Sequence, residues 1–462
     1  MCPRPADAGG DRRGRPAGAG SGPPDHPANP GADSAGPAVF PHDAMSLRSM
    51  MFIAGEPSGD LLAAELVRAL RPHFQGLRFE PRLFGAGGPA LREAGVQVVE
   101  EMTRHAVVGL SDVVRSLRHY RRVFHRLLDE AGRRLPEAVV LVDFTGFNLR
   151  FARALWRRVA AQNPVFGNWH PRVIQYVSPQ VWASRPGRAR TLARYTDLLL
   201  CLFRFEKEWY AQRTPGFAVE WVGHPLCDRH RDQWERLRRE GFQPKPPPGK
   251  KEPARVLLLP GSRPAEIQRH LPVMLEALRG LRRRRPLEAR LVAPDAELLE
   301  ACRALLPAEG PSIRLQTGGL ADAMAEAHLA FASTGTVTLE CALFGLPTVA
   351  LYITTPWTYR IARRLVTVRH LAMPNILVGE EVFPEFIQDA ANPENLARAG
   401  WELLADKARR NRLAARLPAV LEELGGPGAA NRAARAVARL LALPPVETRA
   451  PATAPATAAP QG

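Results

Sequence analysis

The chain has 462 residues, 45% of them hydrophobic and 24% charged, and 63 Lys and Arg against 46 Asp and Glu give a formal net charge of +17. That length supports two full cores, and that composition excludes a wholly disordered chain. No run approaches the roughly 20 apolar residues needed to span a bilayer, and the surplus positive charge points to an anionic partner: nucleic acid, a membrane surface or a phosphorylated substrate. The plainer reading of the arginines is a genome that prefers Arg to Lys.

Residues 1–45 are rich in Pro, Gly, Ala and Asp and bury too little to repay ordering. They read as a disordered tail or an over-extended start, with Met45 or Met50 as alternative starts. Arg12 and Arg13 are followed by no apolar stretch, which argues against a signal peptide. Residues 50–54 then read as a strand. They lead through Gly55 and Ser58-Gly59-Asp60 into a helix at 61–70. Ser58 or Asp60 is a candidate cap, and the turn a candidate anion site, although a plain capped turn explains it equally. Residues 82–84 form a further short strand.

The helix at 111–134 places Val113, Val114, Leu117, Tyr120, Phe124, Leu127 and Leu128 at helical spacing, with Arg115, Arg118, Arg121, Arg122 and Arg126 among them. It fits an anionic membrane surface or, as readily, an ordinary core-packed helix. Residues 358–370 repeat the ambiguity. The strand 138–142 ends in Asp143, where α/β sheets form ligand sites and where a carboxylate could serve as general base; a turn aspartate is the alternative. Strands at 173–177 and 198–203 follow, and QPKPPPGKKEP (243–253) marks a linker edge.

The alternation then restarts. Strand 255–259 runs into Gly261-Ser262-Arg263, with Pro264 at the first helical position, a combination that suits a diphosphate. Strands at 289–292 and 329–332 follow, and the latter opens into Ser333-Thr334-Gly335-Thr336, a phosphate cradle without a lysine. Glu340, one turn beyond Thr336 in an otherwise apolar helix, could accept both hydroxyls of a ribose. After a strand at 348–352, residues 393–442 read as helical and 444–462 as a second disordered tail. Cys2, Cys201, Cys227, Cys302 and Cys341 are scattered without metal-ligand spacing, which fits a reducing cytoplasm. Two strand-helix blocks predict an α/β protein of two doubly wound Rossmann-like domains, 46–226 and 227–443, facing a cleft.

AGEPSGD, YVSPQVWA (176–183), LPGSRPAE, STGTVTLE and MPNILVGE (373–380), with LFRFEKEWY (202–210) and VGHPLCD (222–228), resemble in order and spacing the bacterial lipid-A-disaccharide synthase family over 52–395. The resemblance implies a GT-B fold and a metal-free inverting transfer. The donor would be UDP-2,3-diacylglucosamine and the acceptor the 6-hydroxyl of 2,3-diacylglucosamine 1-phosphate, giving a β-1,6 disaccharide and UDP. It makes Asp143 the candidate base and points to Arg263, Glu340 and Asn375 as donor-site residues. Thr145 stands where the family commonly has proline. It further implies a cytoplasmic protein, peripheral on the inner membrane through helix 111–134, with no cofactor and no nucleic acid; the oligomeric state stays open between monomer and homodimer. The rival readings are another UDP-sugar GT-B enzyme, such as a lipid-linked N-acetylglucosaminyltransferase or a UDP-N-acetylglucosamine 2-epimerase, and a non-catalytic basic binding protein.

Overall fold

The computed structural model describes residues 47–443, except 76, 78, 104–109, 163–168, 243–245, 247, 248, 250, 251, 308–311 and the side chains of 110–117. All of these lie in the compact unit Asp43–Gly462. Both expected tails, and most of the proline-rich stretch at 243–253, lie outside the described residues.

The N-terminal lobe is built on β1 (Ser49–Ala54), β2 (Arg82–Gly87), β3 (Gln97–Glu101), β4 (Ala138–Val142), β5 (Arg172–Tyr176), β6 (Leu198–Cys201) and β7 (Val219–Trp221). These pair in parallel in the order β3-β2-β1-β4-β5-β6-β7. Its helices are α1 (Pro57–Phe74), α2 (Pro89–Glu93), α3 (Leu110–Arg134), α4 (Thr145–Ala160), α5 (Val181–Ser184), α6 (Arg188–Tyr195), α7 (Arg204–Arg213), α8 (Leu226–Arg229) and α9 (Arg231–Glu240).

The C-terminal lobe follows the same plan with β8 (Ala254–Leu259), β9 (Leu287–Ala293), β10 (Ile313–Thr317), β11 (Leu329–Ser333), β12 (Thr348–Tyr352) and β13 (Glu385–Ile387), ordered β10-β9-β8-β11-β12-β13. Its helices are α10 (Pro264–Arg282), α11 (Ala296–Arg303), α12 (Leu320–Glu326), α13 (Thr336–Leu343), α14 (Pro356–Leu365), α15 (Met373–Val378), α16 (Pro393–Ala405), α17 (Lys407–Leu424) and α18 (Ala429–Leu440).

The central strands explain the choice of architecture. Every residue of β1, β4 and β11 is buried, because a parallel sheet covered by helices on both faces has no solvent side. In each sheet the strand order reverses between its first and fourth strands: β1 and β4, then β8 and β11. The loops at such a reversal splay apart and leave a crevice at the carboxyl ends.

One expectation is corrected here. The sequence places the terminal helices in the second domain, 227–443, but α18 packs on α1 of the first lobe. Asp228 fixes that return by accepting from the amides of Gly428 (2.6 Å) and Ala429 (2.8 Å) at its start. In α3 the described part takes the core-packed alternative. Val123 and Leu127 are fully buried, and Phe124 stacks edge-on against Phe147 and Phe151 of α4. From Tyr120 onward, then, the apolar stripe faces the lobe: Leu127 is in its core, and Tyr120, Phe124 and Leu128 pack half-buried against it; Val113, Val114, Arg115 and Leu117 lie outside the described side chains.

Candidate functional site

The four loops at the two reversals are the four segments that the sequence marks. The first follows β1. Glu56 takes the N-cap position of α1 but makes no side-chain cap; Pro57 opens the helix and Ser58 is exposed beside it. Gly59 lies against the Asp143 side chain, 3.6 Å from the position its own Cβ would take. Asp60 does not cap α1, as the sequence suggested. It is buried and accepts from the amides of Gly88 (2.8 Å), Ala90 (2.9 Å) and Leu91 (3.2 Å), so it holds the start of α2.

Asp143 follows β4 in an unusual backbone. It has φ 49° and Phe144 has φ 39°, two successive non-glycine residues in the left-handed region. Each such residue costs on the order of 1–3 kcal/mol and persists only where its surroundings over-determine it. Here they do. The Asn148 side-chain amide donates to the carbonyls of Val142 (3.2 Å) and Asp143 (2.7 Å). Gln175 donates to the Asp143 carbonyl from the other side at 3.3 Å. The Phe144 ring lies against the backbone of Gly55, where any Cβ would overlap it.

The turn thus presents the Asp143 carboxyl half-buried at the crevice. Burial lifts its pKa above the usual aspartate range, and the Glu56 carboxylate adds to the rise; the Phe144 amide and the Arg263 guanidinium oppose it. Glu56 also reaches Tyr120, whose pKa rises through burial first and that carboxylate second. Neither Glu56 nor Tyr120 emerged from the sequence as a site residue. For Glu56 the signal was present in its place within AGEPSGD.

Arg263 belongs to the other lobe and is one of the charges that act on Asp143. It is the N-cap residue of α10, with its side chain 66% exposed. Gly261 turns the chain at φ 137°, and a Cβ there would strike Glu266. Glu266 folds back over this turn. It accepts from the Ser262 amide at 3.1 Å and from the Arg263 guanidinium at 3.1 Å. In the loop expected to hold a diphosphate, the Ser262 amide thus faces an anion that the chain itself supplies. Arg263 remains the exposed cation of the loop. His270, which sequence reasoning also missed, fastens this loop to the next. Its Nδ1 lies 2.7 Å from the Pro260 carbonyl and its Nε2 accepts from the Ile353 amide at 3.0 Å.

The loop after β11 is the more open cradle. Ser333 is buried, and the Thr334 amide is spent on the Leu351 carbonyl at 3.1 Å. Gly335, at φ 136°, has open space where a side chain would sit, and Thr336 is exposed at the first position of α13. The amides at that helix start are the ones an α-helix leaves unsatisfied. Glu340 lies one turn further along, with its side chain 19% exposed and one carboxylate oxygen 3.8 Å from His230 Nε2.

Asn375 is corrected more fully. It is completely buried, accepts from the amides of Val382 (2.9 Å) and Phe383 (2.8 Å), and donates to the Phe383 carbonyl at 2.8 Å. Its side-chain amide is committed here to pinning the segment after α15.

Cys201, Cys227, Cys302 and Cys341 are buried free thiols. Among the described residues, no cluster of three or more His, Cys, Asp or Glu is placed to hold a metal ion, and no helix is long and apolar enough to cross a membrane.

Two parallel-sheet lobes, each with its strand-order reversal opening at the carboxyl ends of its strands, define a GT-B fold. Solved structures of that type match the fold. The S. aureus MnaA–UDP co-structure aligns with TM-score 0.54 at 14% identity, covering 86% of this chain and 97% of that one. The calicheamicin glycosyltransferase CalG4 aligns with TM-score 0.51 at 17% identity, covering 86% and 99%. The sequence narrows this further. Residues 50–439 match the family profile of lipid-A-disaccharide synthetase. The lipid-A-disaccharide synthase of Syntrophus aciditrophicus is 38% identical over 398 residues, 84% of this chain and 97% of the relative. That of Geobacter sulfurreducens is 37% identical over 399 residues, 85% and 97%. The chain belongs to the lipid-A-disaccharide synthase family, a family of glycosyltransferases.

Proposed function

We propose that the protein condenses UDP-2,3-diacylglucosamine with 2,3-diacylglucosamine 1-phosphate, forms the β-1,6-linked lipid A disaccharide 1-phosphate with inversion and releases UDP. The observation that carries this reading is the placement of Asp143: a half-buried carboxylate on a doubly strained turn at the carboxyl end of β4, beside the strand-order reversal of its lobe. The β11 loop at Gly335-Thr336, with Arg263, is the donor-phosphate site in this reading, and Glu340 the ribose ligand. Substrates of this kind sit in a bilayer, so the protein would work at the cytoplasmic membrane face. The test is incubation of the purified protein with both substrates. A product of the disaccharide mass, with UDP released only when acceptor is present, is the expected result; UDP release or sugar isomerisation without acceptor would favour an epimerase.

Arg263→Ala should weaken UDP binding about tenfold, the loss of one charge-assisted hydrogen bond at an exposed position. Titration calorimetry with UDP checks this, and unchanged affinity would remove Arg263 from the donor site.

The neighbours of Asp143 make a signed prediction about pH. The base works deprotonated, so kcat/KM falls as pH drops through its raised pKa. Glu56 raises that pKa and Arg263 lowers it. Glu56→Gln should move the acid limb to lower pH, and Arg263→Ala should move it to higher pH. Paired pH profiles of kcat/KM decide the matter; limbs that stay in place, or that move the same way, would detach Asp143 from the rate.

A further inference from the structure

Beside the candidate base lies a groove that the donor assignment leaves unused. It encloses about 430 Å³, with Thr145, Val181, Arg185 and Arg188 on one wall and Ile361 and Leu365 on the other. That volume falls in the range of about 300–1,000 Å³ typical of small-molecule sites. The walls come from different lobes. Thr367, just past α14, joins them: its amide donates to the Ala183 carbonyl at 2.8 Å, and its hydroxyl donates to the Trp182 and Ala183 carbonyls at 3.2 Å.

The α14 wall is apolar without being core. No residue of that helix is buried, and Trp357, Ile361 and Leu365 are 73%, 55% and 36% exposed. Their spacing of four sets them in one stripe along the helix. Scattered apolar side chains on a surface need no explanation, but a continuous stripe lining a groove does. Across from it stand Arg185 and Arg188, both exposed. Among the described residues no carboxylate pairs with either guanidinium. An apolar wall facing two uncompensated cations fits an amphiphile: a hydrocarbon chain attached to an anionic head. The planar guanidinium fork is suited to phosphate in particular.

Position selects which substrate this is. Thr145 is the first residue of α4, two residues past Asp143. Two residues of chain span no more than about 7 Å, so a head group in the groove can bring a hydroxyl to the carboxylate. The donor phosphates have their cradle in the other lobe, after β11. Resting on the reading given under Proposed function, we propose that this groove is the acceptor subsite, with an acyl chain of the acceptor lying along Ile361 and Leu365 and its phosphate held by Arg185 and Arg188.

The experiment measures initial rates of the full chain in detergent while acceptor concentration varies. The variants are Arg185→Ala with Arg188→Ala, and separately Ile361→Ser with Leu365→Ser; all four side chains are exposed, so the fold should tolerate them. The arginine pair should raise the acceptor KM about tenfold or more, with the donor KM unmoved. Most of that penalty should vanish when the acceptor lacks its phosphate, because the same interaction cannot be lost twice. Restoring charge with Arg185→Lys and Arg188→Lys should recover part of the affinity. The serine pair should weaken a long-chain acceptor more than a short-chain one.

An unchanged acceptor KM overturns the proposal, as does an equal penalty on phosphorylated and unphosphorylated acceptors. So does a serine pair that loses only binding to anionic phospholipid vesicles while acceptor KM in detergent is normal, since the stripe would then rest on the bilayer. Failure of the parent protein itself to make disaccharide is a distinct result, and it removes the reading of function together with this one.

Discussion

Asp143→Asn should lower turnover by at least about 100-fold and leave UDP affinity unchanged, because positioned proton transfer is commonly worth about 100- to 10,000-fold. A sugar hydroxyl is a poor nucleophile at neutral pH, and its oxygen gains positive charge as the bond to the anomeric carbon forms. A carboxylate within hydrogen-bond reach takes the proton during the attack. UDP leaves readily from amides and a guanidinium without needing an acid. One base on the face opposite UDP therefore suffices in this mechanism, and attack from that face inverts the centre. The local backbone makes the substitution clean. Asparagine tolerates the left-handed region as well as aspartate does, and Asn148 and Gln175 bind the carbonyl of residue 143 rather than its side chain. The turn should survive while the base is lost. Initial rates beside UDP titrations separate the outcomes: a near-normal rate transfers the role to another group, with Glu56, whose charge acts on Asp143, the first candidate, and lost UDP affinity would make Asp143 a donor ligand.

What the sequence made legible follows burial. The strands β1, β4, β8, β11 and β12 were readable to within a residue because central parallel strands are continuous apolar runs. The edge strands β3, β7, β10 and β13 were not. QVVEE and IRLQT are half-exposed and mix charge with β-branched residues, so their pairing is imposed by the neighbouring strand rather than by their own pattern. The site divides in a similar way. Its four loops were visible because glycine, proline and a polar residue at a strand end are local signals. Two things were not local: which segments meet, as Glu56 and Arg263 do at Asp143, and which polar groups the fold consumes itself. Asp60, Glu266 and Asn375 all have the chemistry of ligand-binding residues. Each is occupied by backbone amides of this chain, and only the folded arrangement reveals it.

Asp60 gives the stronger test of that distinction, through stability. Its carboxylate is 2% exposed and gathers three amides from the β2–α2 connection onto an α1 side chain. Asp60→Ala would leave those three donors inside the lobe without an acceptor. An unmet buried donor costs about 1–3 kcal/mol, so the lobe should lose about 3 kcal/mol or more, reduced by whatever water can enter. Asp60→Asn should fall in between. Its remaining oxygen can still serve Gly88 and Leu91, but its NH2 group would face the Ala90 amide, donor against donor. Urea titration should show the midpoint fall with little change in slope, the sign of lost stability rather than an altered unfolded state. Because the donor phosphates are assigned to the other lobe, UDP affinity at low temperature should stay normal in whatever fraction remains folded. An Asp60→Ala protein that unfolds at the parent's midpoint but fails to bind UDP would reverse this assignment, and AGEPSGD would then have to act as a ligand loop rather than as the clamp that sets Gly59 against Asp143.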